Sequence, residues 1–154
     1  MSEETRVISG KIKEILEKMN LKFFVGKEEK EFVVPFLIET SEGKVRANVL
    51  VRIVGDWILT VAPIIDIDSI LNRDDRLRLY ERLLLDNYYL KEVTYGLSEE
   101  GTIVVHAETH KNALTFENFK GEFFSVVFGV QHFVEKLIPE FKEYAEKSRL
   151  EYVF

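Results

Sequence analysis

Cysteine is absent from the 154 residues, which excludes a disulfide framework, thiolate zinc sites, iron–sulfur clusters and a cysteine nucleophile. Proline and glycine are scarce, at 3 and 8 residues, while 46% of the chain is hydrophobic. That balance excludes a disordered chain and points to one soluble domain spanning residues 1–154 with a packed core. No apolar run approaches the roughly 20 residues that a bilayer span needs. The longest stretches, such as Val61 to Ile65, are soon broken by Asp or Arg, so no membrane partner is expected. A basic segment followed by an apolar one is missing from Met1 to Arg6, so no secretory signal is read and the cytoplasm is the expected location. Positive charge is also in deficit. Against 27 acidic residues stand 21 basic ones, a net charge of -6, and a nucleic-acid backbone would meet repulsion. Glutamine occurs only at position 131 while Glu and Lys dominate, a skew that suggests a heat-adapted source.

What is present reads as an α+β chain. Ile8, Ile12, Ile15, Leu16 and Met19 recur at helical spacing and predict an amphipathic helix from about Arg6 to Met19. From Phe32 to Ile65 the period changes to two, as in Phe32, Val34, Phe36, Ile38 and again Val45, Ala47, Val49, Val51. With turns at Ser41-Glu42-Gly43 and Gly55-Asp56, this predicts a three-strand antiparallel meander. Pro63 cannot donate to a ladder, so it is expected to mark the third strand's end or an edge. Asp66 and Asp68 are expected to cap a helix over Ser69 to Leu90, with a break near Asn72-Arg73-Asp74. Its apolar residues fall on two neighbouring tracks, Leu77, Tyr80, Leu84, Tyr88 and Leu79, Leu83, Leu90, and so wide a stripe implies contact with more than one surface. A two-strand hairpin follows, Glu92 to Leu97 and Thr102 to Glu108, turning at Gly101. The final helix is read from Phe116 to Tyr144, packed on the sheet, with Pro139 bending it or ending its first part.

Leu83-Leu84-Leu85-Asp86-Asn87 closing the second helix, the hairpin Tyr95-Gly96-Leu97-Ser98-Glu99-Glu100-Gly101-Thr102-Ile103-Val104-Val105, and a Phe- and Val-rich final helix from Phe119 to Val134 carry a resemblance. The chain resembles the type III secretion chaperone-like fold family, including its YbjN-like members. The resemblance implies a small non-enzymatic protein, a homodimer that binds a partner polypeptide through its sheet face or a groove, with no cofactor.

Two groups of residues are candidates for a site. On the final helix Phe124 and Phe128 sit four apart and to one side of the Phe119, Phe123, Val130 stripe, so they need a second apolar neighbour, either the first helix or a second subunit. Together with Leu79 and Leu83 they are the expected partner or dimer interface. The alternative is a metal-dependent enzyme or small-ligand binder on His106, Glu108 and His110, which share one face of a strand. Adjacent same-side positions lie about 7 Å apart and the outer two about 13 Å, whereas functional zinc needs convergent ligands. The plainer reading is a solvated strand face. No Gly-x-Ser-x-Gly elbow or glycine-rich phosphate loop occurs, so no catalytic residue is assigned.

Overall fold

The computed structural model describes residues 1–153. Its order is α1 (Glu3–Lys18), β1 (Phe24–Val25), β2 (Glu31–Thr40), β3 (Gly43–Val54), β4 (Trp57–Asp66), α2 (Arg73–Tyr89), β5 (Thr94–Leu97), β6 (Thr102–His110), α3 (Phe116–His132) and β7 (Glu151–Val153). The strands form one seven-stranded sheet in the order β1-β2-β3-β4-β6-β5, with β7 on β3, and every pairing is antiparallel. The α+β class therefore stands, and the α–βββ–α–ββ–α order is found with two short strands added, β1 before the meander and β7 after α3.

Period-two alternation decides the faces. Phe32, Val34 and Ile38 of β2, Val45, Ala47, Val49 and Val51 of β3, and Ile103, Val105 and Ala107 of β6 are all buried, because side chains two apart on a strand point the same way. Ile8, Ile12, Ile15 and Leu16 of α1 and Phe119, Phe123, Val126 and Val130 of α3 complete that core. Ser2 caps α1, its hydroxyl accepting from the Thr5 amide at 3.1 Å, so the helix starts three residues before the expected Arg6.

Three expectations are corrected. Pro63 neither ends β4 nor lies on an outer strand, since β4 runs on to Asp66 between β3 and β6. It is tolerated because β4 has parted from β3 after the Leu50–Val61 pair, and the register against β6 slips between Pro63 and Ile65, leaving Ile64 as a bulge. The capping of α2 belongs to neither Asp66 nor Asp68. Asn72 does it, accepting from the amides of Asp74 at 2.9 Å and Asp75 at 3.2 Å, while the Asp66 carboxylate takes the Thr102 hydroxyl and the Arg149 guanidinium. Those bonds hold the Asp66 carboxyl below its ordinary range, Thr102 contributing most. Finally, α3 ends as an α-helix at His132. A π turn over Phe133–Leu137 and a 3-10 turn over Ile138–Glu140 follow, because Pro139 has no amide to continue the ladder and its ring excludes the carbonyl four residues back.

Candidate protein-binding surface

The second helix presents two faces of opposite character. Leu79, Leu83 and Asp86 point into the fold. Leu77, Leu84, Leu85, Tyr88 and Tyr89 point out, the last two 82% and 73% exposed. Leu79 and Leu83, expected at an interface, are instead 1% and 6% exposed and belong to the chain's own core. The two apolar tracks have exchanged roles: residues at i, i+4 and i+7 from Leu79 face the sheet, and the Leu84 and Tyr88 track is left outside. Adjacent apolar pairs, Leu84-Leu85 and Tyr88-Tyr89, were the available signal, since one helix resting on one surface cannot bury both members of each pair.

Polar contacts fix the inner face. His132 of α3 pairs its Nε2 with the Asp86 carboxylate at 3.0 Å, Arg82 lies 3.4 Å from the same carboxyl, and it also pairs with Glu140 at 2.9 Å. A buried carboxylate is tolerable only when matched in this way. Asn87 works on β5: its amide donates to the Tyr95 carbonyl at 3.1 Å, and its Oδ1 accepts from the Tyr95 amide at 2.8 Å. The Tyr95 hydroxyl donates to the Gly129 carbonyl at 2.7 Å, and burial, helped by the Asp86 charge, pushes that phenol far above its ordinary range. Replacing Asn87 by Ala removes the partner of both Tyr95 peptide groups and is expected to cost about 2 kcal/mol. A denaturant melt within about 0.5 kcal/mol of the parent would contradict that role.

Beside this anchor lies a cavity of about 360 Å³ lined by Tyr80, Leu83, Leu84, Tyr95, Leu97 and Ile103, almost wholly apolar in its side chains. It opens next to the exposed row of α2. On α3, Phe124 and Phe128 are 42% and 49% exposed. Phe124 rests edge-on against Phe36 with ring centroids 6.0 Å apart, so half of its surface is already spent on the fold.

The strand β6 does carry His106, Glu108 and His110 on one face, outside the core. His106 Nδ1 and Glu108 Oε1 pair at 2.5 Å. His110 turns away, its ring edge-on to Trp57 at 5.0 Å and its Nδ1 accepting from the Asn112 amide. Among the described residues no three such side chains converge on a point that could hold a metal ion, as the 3.4 Å rise of an antiparallel strand dictates. No helix among them is long and apolar enough to cross a membrane.

No known family model matches this sequence, and no curated protein does. Solved structures do. A chain of the ExsC–ExsE complex superposes with a TM-score of 0.57 at 18% identity, covering 86% of this chain and 94% of that one. YbjN of E. coli gives 0.57 at 14%, covering 82% and 90%. The HopA1–SchA chaperone–effector complex gives 0.57 at 8%, covering 86% and 95%. Near-complete coverage in both directions at such low identity is agreement of topology. The chain has the type III secretion chaperone-like fold.

Proposed function

We infer that this chain is a non-enzymatic, chaperone-like protein-binding module that acts as a homodimer and holds a partner polypeptide. The observation that carries the reading is the outward row of α2, in which Leu77, Leu84, Leu85, Tyr88 and Tyr89 are each more than half exposed. Contiguous apolar surface of this kind marks a docking face, and a second copy meeting it through the same helix would cover both rows at once. The fold supports the rest, since its neighbours include a chaperone bound to an effector and ExsC bound to ExsE. The apolar cavity beside α2 and the open sheet face are the surfaces left for a partner segment. A net charge of -6 favours a polypeptide over a nucleic acid.

Sedimentation at micromolar concentration tests the reading. The parent is expected to run as a dimer, and a Leu84→Glu, Tyr88→Glu double variant as a folded monomer whose melting temperature, unlike the parent's, does not rise with protein concentration, because only the parent gains stability from a second copy. A strictly monomeric parent would overturn the homodimer. A folded parent that recovers no polypeptide from extracts of its source cell would overturn the holding role.

A further inference from the structure

The C-terminal segment closes a gap inside the sheet. Since β4 leaves β3 after Val61, the first half of β3 has room for another neighbour on that flank. There β7 pairs, with Lys44 opposite Val153, Val45 opposite Tyr152 and Arg46 opposite Glu151. The opposite wall is the β4 bulge, where the Ile64 carbonyl accepts from the Arg149 amide at 2.6 Å. The wedge between them is a slot for an extended strand. It recognises an acid through Arg46, which holds Glu151 at 3.2 Å. At the next position it takes a large ring that packs on the core, Tyr152.

The resident strand fills this slot imperfectly. The Tyr152 hydroxyl is buried and has no hydrogen-bond partner among the described residues, a costly state for a polar group. Burial, followed by the nearby Glu42 charge, raises that phenol above its ordinary range. Among the described residues the ladder is 3 residues long, against 10 for β2 on the other side of β3. The buried anchors of the preceding turn, Phe141 and Tyr144, lie before the extended Ser148. Release from Ser148 onward leaves them in place and gives up the buried Leu150 and the Arg149 pair with Asp66, contacts that an incoming segment must replace.

We propose that β7 is an exchangeable occupant of this slot, displaced by an extended partner segment that carries an acidic residue followed by an aromatic residue without a hydroxyl. The incoming strand pairs with Lys44–Arg46, meets Arg46 with its acid, and buries its ring where Tyr152 leaves an unmatched oxygen. This goes beyond the functional reading above and holds for monomer and dimer alike.

The test uses the full chain and a labelled synthetic peptide with the sequence of residues 148–153, in Tyr and Tyr152→Phe versions. A Tyr152→Pro chain, whose own strand cannot seat, is expected to bind the Phe peptide about tenfold more tightly than the parent does, and about fivefold more tightly than the Tyr peptide. Hydrogen exchange on the parent is the second measurement, and decides alone if the Pro variant does not fold. Amides of Glu151–Val153 are expected to exchange by local opening, faster than the β2–β3 ladder, and Tyr152→Phe to slow them about fivefold. Equal peptide binding by the parent and opened chains would overturn the proposal. So would β7 amides that exchange only with global unfolding.

Discussion

Phe123→Ala is expected to lower folding stability by about 3–5 kcal/mol, the loss typical of a deleted core ring whose cavity cannot collapse. Phe123 is 0% exposed. Its ring sits 5.7 Å from Phe36, 5.8 Å from Phe124 and 6.2 Å from Phe119, centroid to centroid. Three aromatic walls held by a sheet and a helix leave little freedom to close the void. Phe128→Ala, five residues on, is expected to cost about 1 kcal/mol or less, because its ring is half exposed and among the described residues has only His132 as an aromatic neighbour, at 6.5 Å. Denaturant melts of the two variants check the assignment of the faces of α3. The opposite ranking would contradict it.

Gly129→Val should be comparably severe for the inverse reason. A Cβ built on Gly129 lies 2.5 Å from Val105 Cγ1 and 3.1 Å from Val93 Cγ1, so α3 touches β6 here through bare backbone. Val105 is β-branched and has one stiff torsion with which to yield. Any side chain must therefore lift the helix and stretch the Tyr95 to Gly129 hydrogen bond. Ala is expected to cost about 1–3 kcal/mol and Val more than about 3 kcal/mol. Val105→Ala makes room, so it should recover part of the loss in the double variant, with a coupling of at least about 0.5 kcal/mol. Additive losses would show that the two residues do not meet.

Most of the architecture was legible because it rests on periodicity. The strands of the meander and the core track of α3 repeat with the period of their element, and burial followed the repeat. Failures came where long-range contacts decide. Which track of α2 turns inward depends on His132 and on Asn87 reaching β5, and no local pattern encodes either. Asn72 competed with Asp66 and Asp68 for one cap, and Asp66 was drawn away by Thr102 and Arg149, distant in sequence. The strand Glu151–Val153 is too short for a period to register and forms only because β4 leaves a vacancy beside β3. Of the candidate interface residues, Phe124 and Phe128 face outward and Leu79 and Leu83 do not. A doubly apolar helix announced more apolar surface than the sheet covers, without telling which side the fold would bury.

The amide of Asn87, lying along β5, has a consequence for how copies of this chain can meet. β5 ends the sheet, and a bare terminal strand is a template on which another chain's strand can add, and then another, without limit. Here the peptide groups of Tyr95 that a newcomer would need are already taken by a side chain rooted in α2. Growth by stacking sheets end to end is thereby discouraged at this margin. The proposed dimer is left to side-chain faces, where a two-fold contact uses itself up after one partner. A chain with this lock can carry a sticky helix next to its outermost strand and still avoid open-ended polymers.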